Sequence, residues 1–363
     1  MSHRILAALA AASALAVVAG CGGDDGGSEE AAGGGKPDKV AVLLPDSKSS
    51  VRWETIDRPE FKAAFERAGV PAEIQNAEGD KATQQTQAEQ AITNGAKVLV
   101  LVNLDSGSGA AIAANAKSRG VKVIDYGRLT LKGDSDYYVS FDNVEVGRLQ
   151  GEGLAKCLED KGVSKPQVAV LNGSPTDNAA TLVKQGYDSV IDPKFKSGEW
   201  AEVGDQSVPD WDNQKALTIF EQMLQKSKNQ VDGVIAANDG LGNAAISALK
   251  QRKLPPVPVT GQDATLQGVQ NILAGDQCMT AYINLKEYVR ATAKVATQLA
   301  KGEKPTGMTA TTDNGKKKLP SLLFKPEAVT KDNISETVIK DGTLKREDIC
   351  AGRIERYCEE AGI

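Results

Sequence analysis

Several apolar, β-branched runs in this chain end on polar side chains suited to holding a ligand. Arg128 follows Val121–Tyr126, Asp142-Asn143 follows Tyr137–Phe141, and Asp177-Asn178 lies just beyond Gln167–Leu171. Asn238-Asp239 closes Val231–Ala237, and Gln262-Asp263 closes Val257–Thr260. Two indoles, Trp53 beside Arg52 and Trp211 in a polar loop, sit at the same edge, whereas Trp200 opens a strand at the opposite edge. Alone, each pair reads as a turn or helix cap, because Asn and Asp dominate such positions. Repeated at one edge, they read as a polar pocket with flat apolar faces. The chain has one histidine, His3. It falls in a segment expected to be removed, so His-based triads, bases and metal sites are excluded. No metal, cofactor or catalytic residue is expected.

The elements that must position these groups alternate regularly. Lys39–Pro45, Ala72–Asn76, Lys97–Val102 and Val121–Tyr126 read as strands, with helical patterns between them. Tyr137–Phe141 then leads into an amphipathic segment, Val144 to Leu158, which Asp142 or Asn143 can cap. Past this seam the same rhythm returns. With 363 residues, 40% apolar, the chain can bury two cores. The expected fold class is α/β: two doubly wound domains with a ligand cleft between them. A net charge of −5 argues against a nucleic-acid partner, which would call for a concentrated basic face.

The first residues form an export signal. Met1-Ser2-His3-Arg4 is a short positive start, Ile5–Val18 is apolar, and Val18-Ala19-Gly20-Cys21 resembles a bacterial lipobox. Residues 1–20 are therefore expected to be cleaved and Cys21 lipidated, with the Gly- and acid-rich stretch 21–37 as a flexible tether. Four cysteines remain, Cys157, Cys278, Cys350 and Cys358, and in an exported chain an even number suggests disulfides. Three pairings are possible. Cys350 with Cys358 closes a short loop, and the helix leaving the cleft at Asp142 should end near the start of the Cys278 strand. The alternative is free buried thiols.

Charge balance narrows the ligand. Arg52 and Arg128 are set against Asp142 and Asp263, with Asn143, Asn178 and Asn238 between them. A phosphate site would be biased positive. Mixed donors, acceptors and aromatic faces suit an uncharged, polyhydroxylated ring. Arg52-Trp53, Tyr138-Val139-Ser140-Phe141-Asp142-Asn143, Gly173-Ser174-Pro175-Thr176-Asp177-Asn178, Asn238-Asp239 and Thr260-Gly261-Gln262-Asp263-Ala264 together resemble the type I periplasmic binding proteins of sugar ABC transporters, and within them the D-xylose-binding branch. The resemblance covers roughly Lys39 to Asp348. It implies domains of 38–142 plus 284–318 and 143–283 plus 319–363, joined by three crossovers. It also implies sugar contacts from Arg52, Arg128, Asp142, Asn143, Asn178, Asn238 and Asp263, with Trp53 and Trp211 as stacking faces. Two positions depart from the branch's pattern. Gly127 stands where an Asp precedes the Arg, although Asp125 lies on the same strand face. Ile283 stands where the branch has a polar residue, usually lysine. These departures favour a pentose or related monosaccharide over xylose specifically.

On this reading a lipid-anchored monomer closes on a monosaccharide and presents it to an ABC transporter permease. Without histidine, capture should change little between about pH 6 and 8. A sensing role, with docking on a membrane receptor or kinase, is the alternative. Gly240-Leu241-Gly242-Asn243-Ala244-Ala245 fits a dinucleotide fingerprint, so a dehydrogenase is a remote third reading.

Overall fold

The computed structural model describes residues 38–363; the export signal, Cys21 and the tether lie outside the described residues. Along the chain the first five strands are β1 Lys39–Leu44, β2 Ala72–Asn76, β3 Ala96–Leu101, β4 Lys122–Tyr126 and β5 Tyr137–Phe141. Next come β6 Gln167–Asn172, β7 Ala201–Ser207, β8 Gly233–Ala236 and β9 Thr280–Tyr282, then β10 Ala310–Asp313, β11 Lys318–Phe324 and β12 Glu327–Val329. The principal helices are α1 Arg58–Ala68, α2 Lys81–Thr93, α3 Ser106–Ser118, α4 Asn143–Asp160 and α5 Asn178–Ser197. They continue as α6 Asn213–Lys226, α7 Asp239–Gln251, α8 Leu266–Ala274 and α9 Leu285–Ala300.

One lobe is a seven-stranded sheet of order β10-β11-β5-β4-β3-β1-β2, parallel except for β10. Its centre, β1 (KVAVLL) and β3 (AKVLVL), is almost wholly buried because helices cover both faces, which is why these strands are apolar at consecutive positions. The other lobe is the parallel trio β7-β6-β8. Single bridges, Val234 to Val259 and Gln262 to Ala281, carry it towards β9, which pairs with β12. The chain passes between lobes between β5 and α4, between β9 and α9, and between β11 and β12. The first lobe takes α9 by stacking Tyr288 on Tyr126, ring centroids 4.5 Å apart, with Tyr288 Oη donating to the Val139 carbonyl.

The last crossing differs from the expected boundary near residue 318. β11 instead runs alongside β5, with Ser321 opposite Tyr138 and Phe324 opposite Phe141, so the chain leaves the first lobe around 325–326. The reason is the edge of the sheet: without β11, the hydrogen-bonding groups of β5 on the side away from β4 would be unpaired.

Where α4 leaves the first crossing it packs on α5 with backbone against backbone. A Cβ at Gly147 would run into the Val183 carbonyl, and one at Gly186 into that of Val144. These two glycines let the α5 side chains reach the interlobe cleft. At the far end of α4, Cys157 is disulfide-bonded to Cys278, and in the tail Cys350 to Cys358, with Cα separations of 6.4 and 5.8 Å. Trp200 is buried against Phe195, ring centroids 6.0 Å apart, away from the cleft. Among the described residues, no helix is long and apolar enough to cross a membrane.

Candidate functional site

Parallel strands end at the same edge, so the turns that follow them converge. Here they line a cleft with about 480 Å³ of free space, part of it open to solvent. The β1 turn contributes Ser49, Ser50, Arg52 and Trp53; the β4 turn Gly127 and Arg128; the end of β5 and start of α4 contribute Phe141 and Asn143. From the second lobe come Asp177, Ala179, Val183, Trp211, Asn238, Gln262 and Asp263.

Arg52 is buried immediately before a single π-helical turn, Trp53–Asp57. The wider turn brings Asp57 beneath Arg52, with Nε 3.2 Å from Oδ2, while Tyr126 donates to the other carboxylate oxygen. The guanidinium lies 4.2 Å from the Trp53 ring centroid. Burial opposes its charge, but Asp57, aided by Tyr126 and Asp263, holds its pKa above the ordinary arginine value. For Asp57 burial dominates over Arg52 and the Tyr126 bond, pushing its carboxyl up to about 6.

Arg128 bridges the lobes. Its Nε is 3.0 Å from Asp177 Oδ2, and its terminal nitrogens donate to the Asn103 carbonyl and to Ser49 Oγ, each at 3.2 Å. Trp211 donates its indole N–H to Asp177 at 3.1 Å and packs its ring against Gly173, where any Cβ would strike it. Two more bonds cross the cleft: Ser50 Oγ to Asp263 at 2.7 Å, and Asn238 Nδ2 to the Ser49 carbonyl at 2.9 Å. Four buried polar atoms on the lining residues have no hydrogen-bond partner: Arg52 Nε, which has only its ion pair with Asp57, Arg52 Nη2, Asn143 Oδ1 and Gln262 Oε1. Donors on Arg52 and two amide acceptors, buried and unmet, suit ligand hydroxyls, which both give and accept hydrogen bonds.

Seven residues expected at a binding edge line this cavity: Arg52, Trp53, Arg128, Asn143, Trp211, Asn238 and Asp263. Asp142 and Asn178 do not. Asp142 is exposed and caps α4 through the Glu145 N–H at 3.0 Å, because alternation past Phe141 turns Asn143, and not Asp142, inward. Asn178 is the first residue of α5, and its neighbour Asp177 reaches the cavity while also capping that helix. Ser49, Ser50, Phe141, Asp177 and Gln262 were not anticipated as contacts. Asp177 and Gln262 belong to polar pairs visible in the sequence; the serines had only a polar loop after β1 as their signal.

Asp125 does not compensate for Gly127. It is fully buried, and its carboxylate accepts from Thr130 N at 2.7 Å and from the hydroxyls of Thr130 and Ser135, both at 2.8 Å. Burial pushes its carboxyl up to about 6. Ile283 is buried too, in a small apolar pouch with Phe141, Val146 and Pro326 beside Asp263. The helix start after the dinucleotide fingerprint's strand is already engaged: Asn238 caps α7 through the Leu241 N–H, and the buried Asp239 carboxylate beside it disfavours a pyrophosphate there. Among the described residues, no group of three or more His, Cys, Asp and Glu side chains could hold a metal.

Residues 40–304 match the model of a periplasmic binding protein domain. The D-xylose-binding periplasmic protein of Escherichia coli strain K12 is 38% identical over 315 residues, covering 86% of this chain and 93% of its own. The multiple sugar-binding periplasmic receptor ChvE of Rhizobium radiobacter is 32% identical, with 85% and 92% covered. A Clostridium phytofermentans ABC transporter solute binding protein, solved with bound β-D-glucose, superposes with a TM-score of 0.79 at 28% identity, covering 86% of this chain and 99% of its own.

Proposed function

The chain belongs to the periplasmic binding protein family, and from that premise we propose that it captures a monosaccharide outside the cytoplasm and delivers it to an ABC sugar transporter. The observation that carries this reading is the set of unmet polar atoms on a cavity whose charged groups are mostly paired already. Arg52 has Asp57 and Arg128 has Asp177, so a charged ligand finds no large excess of opposite charge. The indoles of Trp53 and Trp211 add apolar surface from opposite lobes, suited to the C–H faces of a sugar ring. Val183, Ala179 and Gly127 leave part of the wall without a hydrogen-bonding side chain, which favours a pentose or another sugar with one bare edge. Arg52, Trp53, Arg128, Asn143, Trp211, Asn238 and Asp263 are the proposed contacts, joined by Asp177 and Gln262.

Mechanistically the protein works by closure. Sugar settles on one lobe, the three crossings bend, and the cross-cleft bonds of Arg128, Asn238 and Ser50 form as the second lobe arrives. The closed face differs from the open one, which lets a permease select loaded protein. A lipid on Cys21 would keep the monomer beside that permease. A second reading, presentation of the loaded protein to a membrane receptor, draws support from the relative described as a sugar-binding receptor.

The test is a thermal-shift screen of monosaccharides on protein lacking residues 1–21. A sugar at a hundred times its Kd adds about 2.7 kcal/mol of stability, raising Tm by several degrees. Failure of every pentose and hexose to shift Tm overturns the proposal. Co-purification with a permease, as opposed to a receptor, separates the two readings.

A further inference from the structure

Asp239 contributes nothing to the cavity wall, yet it is completely buried one residue after Asn238, which does. Its carboxylate accepts four hydrogen bonds. Oδ2 takes the Thr265 N–H at 2.7 Å and the Thr265 hydroxyl at 3.0 Å; Oδ1 takes Gln277 Nε2 at 2.9 Å and the Thr280 hydroxyl at 2.8 Å. Its own N–H donates to the Gln262 carbonyl at 3.1 Å. Asp239 thereby grips both flanks of the turn that carries Asp263.

That turn is strained. Asp263 and Ala264 have φ of 94° and 47°, positive values that side-chain-bearing residues rarely adopt. Such backbone persists only where its surroundings over-determine it. Here Thr280 Oγ also accepts from the Ala264 N–H at 3.2 Å, and the Asp263 N–H donates to the Ala281 carbonyl at 3.0 Å. Glycines stand at the two closest approaches, Gly261 and Gly268, where a Cβ would collide with the carboxylate.

We propose that Asp239 is a positioning residue for sugar capture: as a four-fold acceptor it fixes the Gln262–Ala264 turn so that Asp263 meets the ligand. An amide replaces it only in part: the Thr265 N–H and Gln277 Nε2, itself held by the Met279 carbonyl, donate to opposite oxygens, and an NH2 must face one of them. The inference rests on the sugar-capture reading. It also gives capture a dependence on pH that the absence of histidine does not predict. Burial, with Asp263 adding repulsion, pushes the Asp239 carboxyl up to about 7 against the bonds from Thr265, Gln277 and Thr280. Asp263 is the charged group acting on it. Its hydrogen-bonded neighbours, Thr265 capping α8, Gln277 before β9 and Thr280 in β9, are neutral. Protonation turns one acceptor into a donor and weakens the bonds from the Thr265 N–H and Gln277 Nε2, so the turn loosens as pH falls through about 7.

The experiment is titration calorimetry of the exported chain with D-xylose and D-glucose from pH 8 to pH 5.5. Asp239→Asn, the milder Thr280→Val and Asp263→Asn are compared alone and in pairs. Asp239→Asn should weaken binding about tenfold or more, the scale of a lost charge-assisted hydrogen bond, and Thr280→Val about threefold. Wild-type affinity should fall as pH drops through 7. That step should vanish in Asp239→Asn, leaving any step near 6 that Asp57 supplies. In the Asp263→Asn background, Asp239→Asn should add nothing. Variants with lowered Tm but wild-type Kd and pH profile overturn the inference and leave sugar capture standing; a wild type that binds no sugar takes both down.

Discussion

The two walls of the cavity hold their polar groups differently. On the first-lobe wall Arg52 is locked within its own lobe, paired with Asp57, stacked on Trp53 and lying over Tyr288. On the second-lobe wall the contacts ride on turns with left-handed backbone: Asp210 and Trp211 at φ of 60° and 55°, and Asp263 at 94°. One wall spends a buried ion pair on rigidity; the other is strained and depends on pins such as Asp239 and Gly173. The difference teaches that similar side chains can be presented either by packing or by backbone geometry. The first should fail through stability and the second through affinity.

The strongest way to break that contrast is Arg52→Ala. It leaves Asp57 buried without its cation, so unfolding in urea should show a loss of about 3–5 kcal/mol, and sugar should no longer raise Tm. Wild-type stability in this variant would mean that the first wall is not organised by its ion pair. Next in size is Trp211→Ala, expected to cost roughly 2 kcal/mol of binding, about thirtyfold in Kd, by calorimetry. Trp200→Ala is the control: it removes a buried ring away from the cleft, so Tm should fall and Kd should stay. Equal affinity losses from the two would show that the cleft edge is misassigned.

The smallest effect concerns pH and stability. Asp57, Asp125 and Asp239 have folded values of about 6, 6 and 7, above the ordinary carboxylate value near 4. Raised values mean that the folded state holds these protons more tightly than the unfolded one. Their contribution is therefore present below about pH 4 and is lost as pH climbs through 6 to 7. Asp134, held down to about 2 by Lys117 and Lys316, acts in the opposite sense but outside this window. Sugar-free Tm should decline from pH 5.5 to pH 8, and Asp239→Asn should flatten that slope. A Tm that rises over this range would argue that the buried carboxyls are fully ionised throughout.

Most of the architecture was legible in the chain because burial on both faces of a parallel sheet writes consecutive apolar runs, as in β1 and β3. The polar pairs ending those runs marked the edge at which the cavity forms. β11 was less legible: Lys318-Leu319-Pro320-Ser321 carries a proline and little apolar pattern, and its place beside β5 depends on a partner far away in sequence.

By itself, then, the sequence determined the alternation of strands and helices, the edge at which polar side chains gather, and the lack of histidine chemistry there. All of these follow from local pattern and composition. Only the tertiary structure decided which member of each pair lines the cavity, Asn143 over Asp142 and Asp177 over Asn178. It alone placed Asp57 under Arg52 and Asp239 behind Asp263. Asn and Asp serve equally well as caps or contacts, and the choice rests on side-chain direction and on partners that meet only when the chain has folded.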